Sequence, residues 1–222
     1  MSQKNELYTR IEAGTPWVLL VDDDVNILDT AKDILEEAKY VVDTASTGAA
    51  ALKLHPVHGG FRCDDRALYP AYHVLTERAV PLVVHCGTST FPGSMNELAD
   101  PQLLLPVIRD FPSLNVVLAH GGRGWWYDAA AFLASAYDNV WIELSGLPPK
   151  RLPDYYARFD LARLPRRWIF ATDWPGVPGI AQNALSVAGL GLPQDVVTAV
   201  LGGNALSVYS GLNPSDTLAP KD

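Results

Sequence analysis

Three short stretches end an apolar run in a potential ligand and then turn on small residues: VVHCG over 83–87, LAHGG over 118–122 and ATDWPG over 171–176. They present His85, His120 and Asp173. Imidazole nitrogen and carboxylate oxygen are the standard ligands of Zn²⁺ and related ions, and both groups move protons near neutral pH. The glycines that follow let the backbone turn tightly and leave room for a substrate. A single histidine at a strand end is more often a hydrogen-bonded structural residue. Three ends with the same punctuation point to a metal or acid–base site. A fourth candidate is Asp22-Asp23-Asp24, directly after the apolar run Trp17–Val21. Adjacent carboxylates repel, and a hard cation such as Mg²⁺ relieves them; the alternative is that one of them, Asp24 above all, caps the next helix. Arg123 has the planar fork that grips a carboxylate, unless it pairs with Asp128. Trp125, Trp126 and Trp174 have the bulk to wall a pocket. Cys86 reads as a small buried thiol.

These residues need elements to hold them. The strand candidates are 17–21, 41–45, 81–85, 116–120, 140–144 and 168–172, with 51–55 ambiguous between strand and helix. They are nearly unbroken in apolar residues, the pattern of strands covered on both faces in a parallel sheet. Helical periodicity occupies 26–39, 66–78, 101–110, 128–137 and 194–201, with Asp64 and Asp65 placed to cap the second. Asn204 is placed to cap the last helix. Alternating strands and helices predict an α/β fold with crossover connections. In such folds ligands bind at the carboxyl ends of the strands, where His85, His120, Ser145, Asp173 and the Asp22 cluster all fall.

The chain has 222 residues, 17 basic and 25 acidic, for a net charge of −8. It is long enough to bury a substantial core, and its 48% apolar and 19% charged content is that of a globular protein. The acidic balance and the lack of a basic stripe exclude a phosphate-backbone reader, so no nucleic-acid partner is expected. No apolar run is long enough to span a bilayer, so no membrane partner is expected. The N-terminus has no apolar signal region, and two cysteines cannot form a disulfide framework. A cytoplasmic protein acting on a small-molecule substrate is the expectation. Prolines, glycines and tryptophans concentrate after residue 55, which divides the chain into 1–50, 51–212 and a disordered tail at 213–222.

Two resemblances follow that division. PWVLLVDDDVNILDTAKDILEEAKYVVDTASTGAAALKL resembles the opening of a response-regulator receiver domain. Asp22 and Asp23 stand where receivers carry their acid pair, and Thr47-Gly48 opens the second helix. The likeness stops there: no apolar strand precedes Asp64 and Asp65, the only acids at a phosphoacceptor's distance. From about Leu52 to Leu212 the sequence resembles the amidohydrolase-related branch of the metal-dependent amidohydrolases. LKLHPVHGGF, PLVVHCGTSTFPG, VVLAHGGRGWWYDAA, WIFATDWPGVP and LGGNALSVY carry that likeness. The resemblance implies a (β/α)8 barrel with its site at the carboxyl ends of the strands. It implies His85 as the metal ligand of the fifth strand. Asp173 is then the ligand and proton acceptor of the eighth strand, and His120 a second ligand or acid–base group of the sixth. Lys53 and His55 fall on the fourth strand, facing the substrate with Arg123 and Trp174.

The family's first-strand His-x-His is missing, since no histidine precedes His55. Seven strands at most are available, one fewer than a closed eight-stranded barrel, so an incomplete or hybrid TIM-barrel-like sheet is expected. Its exposed edge favours association into a homo-oligomer. Asp22 and Asp23 would replace the missing histidines, making the site oxygen-rich and shifting preference from Zn²⁺ toward Mn²⁺ or Mg²⁺. The expected activity is a metal-dependent hydrolase, or a nonoxidative decarboxylase, acting on a small carboxylate or lactone. The alternatives are a receiver-like signalling module and an inactive hybrid.

Overall fold

In the computed structural model, which describes residues 17–21, 32–33, 36–37, 41–45, 51–173 and 179–209, one seven-stranded sheet organises the chain. Its strands are β1 (Trp17–Val21), β2 (Val41–Ala45), β3 (Ala51–Leu54), β4 (Leu82–Gly87), β5 (Val116–Arg123), β6 (Val140–Glu143) and β7 (Trp168–Ile169). The order across the sheet is β2-β1-β3-β4-β5-β6-β7. Strands β3 to β7 are mutually parallel and neighbour one another in sequence order, as in the second half of a β/α barrel. The ambiguous 51–55 stretch is therefore a strand.

The parallel rule fails at one seam. β1 and β2 pair parallel with each other, but β1 runs antiparallel to β3, with Val18 opposite Leu54 and Val21 opposite Ala51. Val21 thus sits at the starting end of β3, away from the end that leads into His55. Asp22 and Asp23, Thr47-Gly48 and most of the 26–39 helix lie outside the described residues, as does 213–222. Helical backbone is seen at 32–33 and 36–37.

The barrel-like half obeys a strict division of faces. Leu82, Val84, Cys86, Val116, Leu118, Val140, Ile142 and Trp168 point outward into the main core. Helices α1 (Tyr69–Arg78), α2 (Leu105–Asp110) and α3 (Tyr127–Ala136) cover that face. Val83, Val117, Ala119 and Ile169 point inward and meet Val208. Period-two alternation with both faces buried explains why these runs look uniformly apolar. Helices α4 (Ile180–Ala188), α5 (Gln194–Thr198) and α6 (Asn204–Val208) follow β7. Asn204 does not cap α6 with its side chain; its amide donates to the carbonyls of Trp168 (2.7 Å) and Arg166 (3.1 Å), tying α6 to β7. Asp65 accepts from the Ala67 N–H at 2.9 Å, the expected cap at the start of the 66–78 helical stretch. No helix among the described residues is long and apolar enough to cross a membrane.

Helix α1 ends on a strained residue. Ala79 adopts φ 54°, left-handed and exposed, with its N–H turned back to the carbonyls of Leu75 and Thr76. A Cβ is disfavoured in that region and glycine is not. Ala79→Gly is expected to stabilise the fold by about 0.5–1 kcal/mol, measured as an upward shift in the urea midpoint at constant m-value. An unchanged or lower midpoint would show that the unfolded chain's gain in entropy outweighs the relief.

Candidate active site

The carboxyl ends of the parallel strands open into a cavity of about 940 Å³ lined by Lys53, His55, His85, His120, Arg123 and Asp173, among others. Six of the residues singled out in the sequence therefore share one space. Lys53 and His55 come from β3 and the residue just after it, His85 from β4, His120 and Arg123 from β5, and Asp173 from the segment after β7.

A break in register at the β4–β5 pair aims His120. Ala119 pairs with His85 and Arg123 with Gly87, so four steps on β5 match two on β4. The surplus is absorbed by three successive left-handed residues, His120 (φ 66°), Gly121 (φ 52°) and Gly122 (φ 78°). Such bulges re-aim side chains beside active sites. Among the described residues, the non-glycine positions with positive φ are Ala79, His120 and Asp173. Backbone strain of this kind costs on the order of 1–3 kcal/mol and persists where function or surrounding structure demands it.

His120 and Asp173 converge over Gly146, together with Arg123. A Cβ built on Gly146 would stand 3.5 Å from His120 Nδ1, 3.5 Å from Asp173 Oδ2 and clash with Arg123 Nη1. Arg123 is steadied by donating to the Thr88 carbonyl at 3.2 Å. It does not pair with Asp128, which binds Arg158 at 2.6 Å instead. His85 donates through Nε2 to the Gly87 carbonyl at 2.9 Å. The rings of His55 and His85 stack at 4.0 Å between centroids, and those of His85 and His120 meet edge-on at 4.5 Å.

Burial keeps these imidazoles neutral. Desolvation, helped by the neighbouring His58 and Lys53, pushes His55 down to about 3. Desolvation and the charge of Lys53 take His120 down to about 4. His85 is lowered further still by burial between His55 and His120. Burial lowers the Lys53 ammonium as well, opposed by the Glu143 carboxylate, and raises Glu143, opposed by Lys53 and by hydrogen bonds from Ser145. Cys86 is pushed up to about 12 by burial, so it is a packing thiol and no nucleophile.

The donor chemistry fits a divalent cation. Neutral imidazoles and a carboxylate are what such an ion takes, and His55 Nδ1 is buried without a hydrogen-bond partner. Among the described residues, no three His, Cys, Asp or Glu side chains already stand in a ligating array, so loading would need side chains to rotate. Trp174 lies outside the described residues, as do Asp22 and Asp23. Trp125 and Trp126 do not wall this cavity; they line a separate surface groove with Phe132 and Phe159. The sequence reading did not single out Glu143, whose one available signal was an acid at an inward position of an otherwise apolar strand.

Ligand-type residues thus stand at the carboxyl ends of parallel β/α strands, and the amidohydrolase family model matches residues 16–211. The chain belongs to the amidohydrolase family. The match runs through residues 16–50, and the comparisons lend nothing to a receiver-like N-terminus. Among solved structures, an uncharacterized TIM-barrel protein from Bordetella bronchiseptica is 23% identical, with a TM-score of 0.60 over 82% of this chain and 61% of that one. The 4-oxalomesaconate hydratase of Rhodopseudomonas palustris is 18% identical, with a TM-score of 0.54 over 82% of this chain and 60% of its own. A dihydroxybenzoic acid decarboxylase from Polaromonas, solved with bound manganese and 2-nitroresorcinol, is 13% identical, with a TM-score of 0.52 over 89% and 69%. The chain thus spans about three-fifths to two-thirds of the length of these structures. At these identities the likeness is one of fold. No curated protein sequence matches.

Proposed function

We propose that this chain is a divalent-metal-dependent hydrolase or nonoxidative decarboxylase acting on a small carboxylate or lactone. The observation that carries the reading is the convergence of His120, Asp173 and Arg123 over Gly146, with both ligand-type residues held in left-handed backbone. His85, His120 and Asp173 are the proposed ligands. A bound cation supplies Lewis acidity toward a substrate oxygen or a water. Arg123 would grip a carboxylate of the substrate through its fork, and Lys53 adds positive charge deeper in the cavity. His120 and Asp173 would carry protons to and from the reacting atoms. Family membership supports the reaction class, and the manganese of the Polaromonas decarboxylase supports a divalent ion in this fold. Mn²⁺ and Zn²⁺ are the first ions to load.

Elemental analysis of the purified chain, before and after reconstitution, tests the reading. About one transition-metal ion per chain is expected, and none in the variant with His85, His120 and Asp173 all replaced by Ala. Absence of metal from both proteins after reconstitution would overturn it and leave the inactive hybrid as the better description.

A further inference from the structure

A buried acid beneath His120 has no part in the reading above. Glu143 ends β6 with its side chain pointing inward and enclosed. Both of its oxygens are engaged by Ser145, two residues on: Ser145 Oγ donates to Oε2 at 2.7 Å and the Ser145 N–H to Oε1 at 3.2 Å. Ser145 in turn faces His120. His120 Nδ1 lies 2.9 Å from the Ser145 carbonyl oxygen and 2.9 Å from Ser145 Oγ.

The Ser145 carbonyl sets the proton count of this chain. A carbonyl oxygen only accepts, so Nδ1 must carry the hydrogen. The Ser145 hydroxyl has spent its single hydrogen on Glu143, so toward His120 it too is an acceptor. The neutral imidazole is then protonated at Nδ1 and carries its lone pair on Nε2, for which no protein partner is found among the described residues. We infer that Glu143 and Ser145 are positioning residues that lock His120 in the Nδ1–H tautomer and so present Nε2 as the nitrogen that binds a cation or takes a proton. Outer-shell partners of this kind fix both the tautomer and the ring orientation of a ligating histidine. Glu143 reaches the His120 ring through Ser145; its carboxylate also accepts from the His120 backbone N–H and borders the cavity. This inference rests on the site proposed above, but its primary readout does not need metal or turnover.

Long-range ¹H–¹⁵N correlation spectra of the ¹⁵N-histidine-labelled, metal-free chain read the tautomer directly. His120→Gln assigns the signals by their disappearance. The expected wild-type pattern has a pyrrole-type Nδ1 and a pyridine-type Nε2. Glu143→Leu removes both acceptors and is expected to give mixed tautomers and a broadened ring. Ser145→Ala deletes only the hydroxyl and serves where Glu143→Leu fails to fold. Glu143→Gln keeps one acceptor for the hydroxyl and should restore most of the wild-type pattern. A pyridine-type Nδ1 in the wild type would overturn the inference. So would an unaltered Nδ1–H pattern in Ser145→Ala and, where it folds, in Glu143→Leu. If the chain binds Zn²⁺, Glu143→Leu should weaken binding by about 10–100-fold. A correct tautomer in a chain that binds no metal would sink the metal reading and leave this one standing.

Discussion

Gly121→Ala is expected to be among the most damaging single-atom additions to this chain. A Cβ at Gly121 would overlap the Tyr156 hydroxyl and stand 2.9 Å from Ile142 Cγ2, in a backbone at φ 52° that L side chains rarely adopt. Neither neighbour can retreat, because Tyr156 and Ile142 are both fully buried in the main core. Overpacking of a dense core costs about 1–3 kcal/mol, and the left-handed backbone adds about 1 kcal/mol. A loss of roughly 3 kcal/mol is therefore expected, a fall in Tm of about 6–12 °C for a domain of this size. Tyr156→Phe provides the control. Its hydroxyl donates to the Gly121 carbonyl at 2.8 Å, so its removal alone should cost about 1–2 kcal/mol by leaving a buried acceptor unpaired. In the double variant the penalties should sum to less than their parts, because one deletion relieves the other's clash. Strict additivity would mean that the hydroxyl is not what resists the methyl group.

Acidification of the metal-free protein should unfold it well before its surface carboxylates titrate fully. His85 and His120 are buried neutral, with folded pKa values below the ordinary histidine value of about 6.5. The unfolded chain then binds more protons than the folded one as pH drops below about 6.5. Their contribution to stability is fully present above that pH and is lost as pH falls toward about 4, the value for His120. Each imidazole contributes a slope of about 1.4 kcal/mol per pH unit in that window, or about 3 kcal/mol per unit for the pair. His55, pushed down to about 3, adds in the same direction. Urea titrations at pH 7 and pH 5 in a chelator measure the difference. His120→Gln and His85→Gln should each flatten the pH dependence even where they lower stability at pH 7. Equal stability at both pH values would show that the imidazoles accept protons without leaving the folded state.

Much of the barrel-like half is legible in the chain itself. The runs around Val83, Val117 and Ile142 are uniformly apolar because helices cover one face and the inner layer the other, so the strand positions and the parallel order of β3 to β7 follow from hydropathy and crossover rules. The end of the sheet that carries His85, His120 and Asp173 is equally legible, because in a parallel β/α sheet all strand ends that lead into helices lie on one side. Three features are not. Hydropathy does not encode strand direction, so the antiparallel seam that sets Val21 against Ala51 is invisible in the sequence. The start of helix 180–188 is unmarked, since Gly179 gives it no side-chain cap, although Ile180, Ala184, Leu185 and Ala188 recur at helical spacing. The fate of Trp125 and Trp126, which turn to an outer groove, depends on which way the chain leaves the β5 bulge.

The sequence by itself therefore determined the fold class, the family and the residue types at the mouth of the sheet, since periodicity and ligand chemistry are local properties. Only the tertiary structure decided how those residues meet. The two-residue surplus on β5, the left-handed turn at His120 and the Glu143–Ser145 support beneath it arise from pairing between strands, and pairing depends on neighbours that are far apart in the chain.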